Sequence, residues 1–340
     1  MGRPLLAVAL LALAGPALLG AASGGSGPRP DPRELSALPT HIRKVEPAIV
    51  GIHVQVPRDR PSVLTLGAER SGSGVIFDGA NGYALTVSYL LLDAERIEVT
   101  LRDGRKAPAK LVGLDLEVGL GVVRLEGRGP WPAAALGDST RISEGSVTGT
   151  VGLSDDGELI ATPSRVEAVA PFAAAWEYML DRAFFVAPHN AAFGGGALVD
   201  AGGAVVGITS LRLGEAPFVN LAIPIEKFLP GKDELLSKGR VVSRPPRPWL
   251  GLYTVSREGG GVVVAGTAAV GPARAAGFRQ GDVIVRINGE PVSSREDFYS
   301  RLWSVSLGEE VQVVVQRGGA FVAITVRPAD RYRFYRTVDN

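Results

Sequence analysis

The amino-acid sequence predicts an all-β fold made of two consecutive antiparallel barrels or sandwiches, followed by a smaller β-rich unit. Short β-rich runs alternate with turn signals at intervals of roughly 8–12 residues, a pattern typical of barrels and sandwiches. The chain of 340 residues contains 44 glycines and 24 prolines, and 46% of its residues are hydrophobic. This composition favours a turn-rich β protein over a helical one, and the length indicates about two domains.

The first two units each contain about six predicted strands. In the first unit they are 49–56, 74–77, 83–87, 97–101, 109–113 and 120–125. In the second unit they are 146–151, 159–169, 183–187, 197–200, 205–211 and 218–223. Asn81-Gly82 and Asp103-Gly104 mark tight turns, because glycine readily adopts the positive φ that such turns require. A helical segment is predicted at 225–238, with a break at Pro230-Gly231.

A proline-rich stretch separates these units from the third. Residues 244–248 have the sequence Arg-Pro-Pro-Arg-Pro, which cannot form a regular helix and predicts a stiff linker. Strands at 261–265, 282–287 and 311–316 and a helix at 294–303 follow. The predicted organisation is a signal peptide at 1–23, a flexible lead-in at 24–40, the double-barrel domain at 41–230, a helix end and linker at 231–247, the third domain at 248–328 and a tail at 329–340.

The N-terminus has the features of a secretory signal peptide. Arg3 supplies a positive charge, residues 4–19 are almost wholly apolar, and small residues follow at 20–23. A membrane anchor is the alternative, but an apolar run of about 16 residues is shorter than the roughly 20 that span a bilayer. We therefore predict an exported protein without a membrane span after cleavage.

Charge and residue usage exclude several classes of function. The formal net charge is +1, which gives no electrostatic basis for binding nucleic acid. The chain contains no cysteine, so disulfides, thiolate nucleophiles and thiolate-bound metals are excluded. Because the chain has only three histidines, a site with several histidine ligands is not expected. We predict no cofactor and no metal.

Many short motifs, in order, resemble one family. They are Gly-Ser-Gly-Val-Ile-Phe at 72–77, Gly-Tyr-Ala-Leu-Thr at 82–86, Leu-Gly-Asp-Ser at 136–139, Gly-Gly-Ala-Leu-Val-Asp at 195–200, Ala-Ile-Pro at 222–224, Trp-Leu-Gly-Leu at 249–252 and Gly-Asp-Val-Ile at 281–284. This series resembles the HtrA (DegP-like) family of trypsin-fold serine proteases. The resemblance implies a chymotrypsin/trypsin-like double β-barrel followed by a PDZ domain, a small β-sandwich with helices.

The family's catalytic residues are not found at the matching positions. A Ser-His-Asp triad needs a hydroxyl nucleophile, an imidazole base and a carboxylate that orients the imidazole. The resemblance aligns Tyr89 with the histidine, Gly119 with the aspartate and Gly194 with the serine. Residues 183–208 contain no Ser, Thr or Cys, and no histidine lies between positions 53 and 189. We therefore predict that the chain is not an enzyme but a pseudoprotease.

Some chemistry could survive around these positions. The backbone N–H groups of Gly194 and Gly195 could form an oxyanion-hole-like nest. Ser88, next to Tyr89, leaves open a cryptic hydrolase. The remaining alternatives are His189 as a relocated base, His53 as a ligand, and His41 with Glu46 and Asp31 as a metal site. Each of these histidines is more readily interpreted as an ordinary residue of the barrel or the surface.

A peptide groove is predicted in the third domain. PDZ domains bind an extended peptide as an added strand and hold its C-terminal carboxylate with backbone N–H groups. The resemblance places Leu250, Gly251 and Leu252 at that loop, and Phe298 and Leu302 beside the pocket for the last side chain. The alternative is that these residues only fill the core of the domain.

The resulting prediction is an exported, catalytically inactive HtrA-like protein in the periplasm or cell envelope. It would bind polypeptide C-termini or unfolded chains as a scaffold, regulator or chaperone in protein quality control. The alternative function is an active HtrA-like serine endopeptidase that degrades misfolded envelope proteins. The resemblance also implies a homo-oligomer, since members of the family often form trimers.

Overall fold

The structure is a computed structural model that describes residues 38–154, 157–215, 217–257 and 260–338. The predicted signal peptide at 1–23 and almost all of the predicted lead-in at 24–40 lie outside these residues. Within the described ranges, no helix has both the length and the apolar character needed to cross a membrane.

The first domain begins with a closed six-stranded barrel in the order β1-β2-β3-β6-β5-β4. Its strands are β1 (Ile49–Gln55), β2 (Glu69–Asp78), β3 (Tyr83–Val87), β4 (Arg96–Thr100), β5 (Lys106–Asp115) and β6 (Leu120–Leu125), and its helices are α1 (Thr40–Val45), α2 (Val63–Leu66) and α3 (Ser88–Leu91). Alternate side chains of each strand point inward, so β1 shows alternating buried and exposed residues toward its C-terminal end.

A second closed barrel follows in the order β10-β11-β12-β9-β8-β7. Its strands are β7 (Val147–Leu153), β8 (Leu159–Ala174), β9 (Tyr178–Ala187), β10 (Ala197–Asp200), β11 (Val205–Leu213) and β12 (Val219–Pro224). The hairpin of β8 and β9 is the longest in the domain, and it ends in a three-residue turn at 175–177 because Ala174 pairs with Tyr178.

The predicted helical segment after β12 is broken by Pro230, as expected. Short 3₁₀ turns at Ile225–Lys227 and Leu229–Gly231 precede helix α4 (Lys232–Lys238). Gly239 ends α4 with φ 73°, a left-handed conformation that glycine adopts without steric cost. Its carbonyl accepts a hydrogen bond from Leu114 N–H, so this segment lies against β5.

The third domain has its own sheet and its own hydrophobic core. Its elements are β13 (Pro248–Trp249), β14 (Leu252–Ser256), β15 (Val262–Thr267), α5 (Pro272–Ala276), β16 (Val283–Ile287), β17 (Glu290–Pro291), α6 (Arg295–Trp303), β18 (Val311–Arg317), β19 (Ala320–Val326) and β20 (Ala329–Asp330). The main sheet has the order β14-β15-β16-β18-β19, so β14 forms one edge. Helix α6 covers the core with the fully buried Phe298, Tyr299 and Leu302. Two closed barrels and a separate β-rich domain confirm the predicted fold class.

The linker joins the domains through ion pairs. Arg244 pairs with Asp115, and Arg247 lies 3.2 Å from the Glu117 carboxylate. The Arg247 guanidinium also lies 4.1 Å from the centre of the Trp303 ring in α6. These contacts fix the linker between the first barrel and the third domain.

The C-terminal tail returns to the first barrel. After β20 pairs with β13, Tyr332 is buried and its hydroxyl accepts a hydrogen bond of 2.9 Å from Leu116 N–H. Farther along, Arg336 N–H donates to the buried Asp93 carboxylate over 2.6 Å. The sequence contains no motif that predicts this docking.

Tyr332→Phe tests the contribution of the tail to stability. The change keeps the ring but leaves the buried Leu116 N–H without its acceptor, and we expect a loss of about 1–3 kcal/mol in the free energy of unfolding. Urea denaturation measures the loss, with Tyr253→Phe as the control, because Tyr253 lies outside the tail. Equal stability of the two variants would show that the tail hydrogen bond is unimportant.

Candidate functional site

The two barrels meet where strand β2 approaches the loop that precedes β10. Ser73 N–H donates to Gly194 O over 2.7 Å, and Thr86 Oγ1 donates to Ser73 O over 2.7 Å. The Ser73 hydroxyl accepts a hydrogen bond of 2.8 Å from Leu153 N–H in β7. One residue of the first barrel therefore binds two separate segments of the second.

Gly195 permits this close approach. Its φ is +91°, and a Cβ atom at this position would collide with Ser73 O and with the Thr86 hydroxyl. Gly195 N–H donates to Thr209 O over 2.8 Å, and Thr209 N–H donates to Gly196 O over 2.8 Å. The loop is thus held on both sides by backbone hydrogen bonds, and only glycine fits at its centre.

The structure brings together the three positions that the sequence analysis aligned with a triad. A Cβ atom on Gly194 would lie 3.2 Å from the Tyr89 hydroxyl oxygen. Ser88 N–H, next to Tyr89, donates to Gly119 O over 2.9 Å. Gly119 has φ +89°, and a Cβ there would lie 2.7 Å from the Tyr178 hydroxyl oxygen.

Two tyrosines fill the space around these glycines. The Tyr89 hydroxyl donates to Ser210 O over 2.8 Å, and the Tyr178 hydroxyl donates to Val118 O over 2.6 Å. Burial raises the pKa of Tyr89 and the pKa of Tyr178 above the ordinary value of a phenol. Both side chains are therefore neutral hydrogen-bond donors at physiological pH, and neither takes up a proton there.

The backbone of the predicted oxyanion nest is partly engaged within the protein. Gly195 N–H is bound to Thr209 O, as described above. Nearby, Ala192 N–H donates to the Asn190 side-chain oxygen over 2.8 Å, while the Asn190 amide donates to Ile160 O over 2.8 Å. Among the described hydrogen bonds of this loop, the Gly194 N–H has none. The sequence analysis did not identify Asn190, whose side chain shapes the loop.

The alternative site residues within the described ranges lie in separate places, and Asp31 lies outside those ranges. Ser88 starts helix α3 and is 7% exposed. His53 Nε2 lies 2.9 Å from the Glu69 carboxylate on an exposed part of the first barrel. His189 packs edge-on against Phe218, with ring centres 5.5 Å apart, and His41 lies in α1. The structure therefore does not bring the histidines together.

The predicted carboxylate loop of the third domain already holds a carboxylate. Leu250 N–H donates to Glu177 Oε2 over 2.8 Å, and Leu252 N–H donates to Glu177 Oε1 over 2.7 Å. Glu177 belongs to the β8–β9 turn of the second barrel. The predicted pocket residues Phe298 and Leu302 are fully buried in the core of the third domain.

Glu177 is a buried acid with an unusual pKa. Burial raises its pKa to about 7, and the N–H groups of Leu252, Leu250 and Gly251 together with the positive charge of Arg331 oppose that rise. The carboxylate is therefore close to half ionised at neutral pH. Sequence reasoning did not identify Glu177, because its partners lie more than 70 residues away in the chain.

Comparisons with known proteins follow the same domain division. Two family models match, the trypsin-like peptidase domain over residues 72–208 and the PDZ domain over residues 248–327. "Serine protease Do-like HtrB" of Bacillus subtilis (strain 168) is 30% identical, over 82% of this chain and 68% of that protein. The "Probable periplasmic serine endoprotease DegP-like" protein of Ectopseudomonas mendocina is 30% identical, over 78% of this chain and 57% of that protein. The solved structure "HtrA-type protease AlgW with decapeptide" has a TM-score of 0.52 and 26% identity, over 86% of this chain and 98% of that chain.

These comparisons confirm the predicted resemblance and correct one prediction. The relatives are named serine proteases or a serine endoprotease, which contradicts the prediction that the chain is not an enzyme. That prediction rested on the side chains at Tyr89, Gly119 and Gly194 and on the lack of a hydroxyl or histidine near two of these positions, whereas the similarity extends over most of the chain.

The adjacent glycines of the barrel junction provide a matched pair of variants. In Gly195→Ala the new methyl group meets Ser73 O in a left-handed backbone, so we expect a loss of about 2–5 kcal/mol in stability. Gly194→Ala has a φ outside that region and meets only the Tyr89 hydroxyl, so we expect a loss below about 1 kcal/mol. Thermal and urea denaturation measure the stability of both variants. Similar losses of stability in the two variants would contradict the close approach at Gly195.

Glu177 predicts a specific pH dependence of stability. Its pKa is about 7 when folded and near 4.5 when unfolded, so the folded state binds the proton more tightly. The full contribution of this group to the free energy of unfolding, about 3 kcal/mol, is present below pH 4.5 and is lost as the pH rises through about 7. Glu177→Gln cannot ionise and should lack this decline. Urea denaturation at pH 5 and pH 8 measures both proteins, and parallel profiles would contradict the raised pKa.

Proposed function

Because the chain belongs to the HtrA (Do-like) family of serine proteases, we propose that it is an exported HtrA-like serine protease acting on unfolded polypeptides. The observation that carries the proposal is the extent of the similarity to Do-like HtrB, which covers 82% of this chain. Two closed barrels meeting at the 194–196 loop support it, because a cleft between two barrels is where this fold positions its reacting groups.

Peptide hydrolysis by this chain needs a nucleophile other than residue 194, since glycine has no side chain. We propose that Tyr89, Gly119 and Gly194 mark the family's catalytic positions, and Ser88 is the serine that adjoins them. Its N–H is bound to Gly119 O, which places the residue between two of these positions. Ser88 is therefore the hydroxyl to be tested as a nucleophile, and the Gly194 N–H is the proposed donor to a developing oxyanion.

The PDZ domain is proposed to bind the C-termini of polypeptides. Leu250, Gly251 and Leu252 present backbone N–H groups to one carboxylate, which is how PDZ domains hold a terminal carboxylate. Phe298 and Leu302 remain the proposed pocket residues; both are fully buried in the core of the domain, so contact with the last side chain of a peptide requires a local rearrangement around α6. A similar solved structure is that of an HtrA-type protease with a decapeptide, which supports peptide binding.

Location and assembly are further parts of the proposal. We propose export to the periplasm or cell envelope, supported by the signal-like sequence at 1–23 and by a relative named as periplasmic. Binding of misfolded envelope proteins there would place the chain in protein quality control. A trimer remains a prediction from the family resemblance.

A cleavage assay with an active-site probe tests the proposed protease activity. Purified residues 24–340 should cleave fluorescein-labelled casein above a buffer control and should react with a serine-directed phosphonate. Ser88→Ala should abolish the labelling, while Ser300→Ala, an exposed serine on α6, should leave it unchanged. Absence of both cleavage and labelling in the wild-type protein would contradict the protease proposal. Labelling that persists in Ser88→Ala would reject Ser88 as the nucleophile.

A further inference from the structure

The edge of strand β14 that lies away from β15 is hydrogen-bonded to the turn of the β8–β9 hairpin. Thr254 N–H donates to Ala175 O over 2.7 Å, and Leu252 N–H donates to the Glu177 carboxylate. Leu252 and Thr254 are two residues apart, as are Ala175 and Glu177. Since N–H groups on one edge of a strand recur every two residues, the N–H groups of Leu252 and Thr254 both face the hairpin tip, which lies where an added strand would bind.

The Glu177 side chain occupies the place of a terminal carboxylate. Its two oxygens each accept a backbone N–H, one from Leu250 and one from Leu252. Gly251, between them, has φ +83°, which turns the loop so that these N–H groups point to one site. A peptide's C-terminal carboxylate would need the same donors.

Helix α6 holds the other side of the hairpin tip. The Tyr299 hydroxyl donates to Ala174 O over 2.7 Å and accepts from Glu177 N–H over 3.0 Å. Arg295 Nη1 donates to Ala173 O over 2.9 Å, and both α6 side chains are buried. The tip is therefore bound between β14 and α6, the two elements that line a PDZ groove.

The turn is shaped to deliver the carboxylate. Glu177 has φ 53°, a left-handed conformation that is uncommon for a residue with a side chain. Its N–H is bound to Tyr299 and its carboxylate to the 250–252 loop, so contacts with the third domain offset the cost of this conformation. A strained residue held by another domain indicates a specific docking contact.

We propose that residues 173–177 are an internal ligand of the PDZ groove, with the Glu177 carboxylate in the place of a peptide's terminal carboxylate. This inference rests on the proposed peptide binding of that groove and adds its regulation. A polypeptide with an apolar C-terminus binds only when the hairpin tip leaves, so its apparent affinity is reduced by the fraction of molecules in which the groove is free. Binding of such a peptide thereby changes the contacts of the β8–β9 hairpin in the barrel domain.

The experiment compares the full chain with variants of Glu177. Glu177→Lys places a cation against the N–H donors of the 250–252 loop and should release the hairpin tip. Glu177→Gln keeps the shape of the side chain but weakens the same hydrogen bonds. Glu167→Ala, at an exposed position of the same hairpin, is the control. Fluorescence anisotropy measures binding of a fluorescein-labelled octapeptide ending in Ala-Val-Val with a free carboxylate. We expect at least tenfold tighter binding by Glu177→Lys, a smaller gain by Glu177→Gln and no change in Glu167→Ala. The same peptide with an amidated C-terminus should bind none of the proteins.

Hydrogen exchange separates failure of this inference from failure of peptide binding. The amides of Leu252 and Thr254 should exchange faster in Glu177→Lys and Glu177→Gln than in the wild-type protein. Faster exchange without peptide binding would support the internal ligand and reject the proposed peptide groove. The proposal of an internal ligand would be overturned if these amides exchanged equally fast in Glu177→Gln and the wild-type protein and if all variants bound the peptide with equal affinity.

Discussion

The approach of the 194–196 loop to strand β2 is the constraint on which the candidate site depends. At Gly195 the loop runs so close to Ser73 that no side chain fits, and backbone hydrogen bonds on both sides hold it there. This contact fixes the distance between the barrels, which in turn places Gly194 against the Tyr89 hydroxyl. The surroundings of the site thus follow from main-chain packing between the two barrels, to which the side chains of Ser73 and Thr86 and the hydroxyls of Tyr89 and Tyr178 contribute hydrogen bonds.

Much of the fold could be predicted because local patterns decided it. Strands 83–87, 120–125 and 197–200 have their predicted bounds, since short apolar runs next to glycine turns leave one interpretation. Strand β8 continues through Pro171 to Ala174, beyond its predicted end at residue 169. Strand β14 was not predicted, because the polar, glycine-rich stretch that follows it hides the alternation. This strand is held in place by hydrogen bonds to β15 and to the tip of the β8–β9 hairpin.

The parts of the site that escaped sequence analysis depend on contacts between distant segments. Nothing near Glu177 in the chain indicates that its carboxylate is bound by a loop in another domain, and Tyr332 gives no sign that its hydroxyl binds Leu116. The assignment of enzyme class shows a related limit. The positions aligned with the triad bear on a single catalytic mechanism. The similarity that assigns the chain to the serine proteases extends over most of its length.

The docked tail makes the PDZ domain an insertion within the barrel domain. Residues 248–328 lie between a linker bound to Asp115 and Glu117 and a tail whose Tyr332 is bound to Leu116, so both ends of the domain are attached to one short segment at the end of β5. That segment reaches its final packing only after Tyr332, 216 residues beyond Leu116, has docked against it. The first barrel therefore completes its packing only after the PDZ domain, which precedes Tyr332 in the chain, has been synthesised.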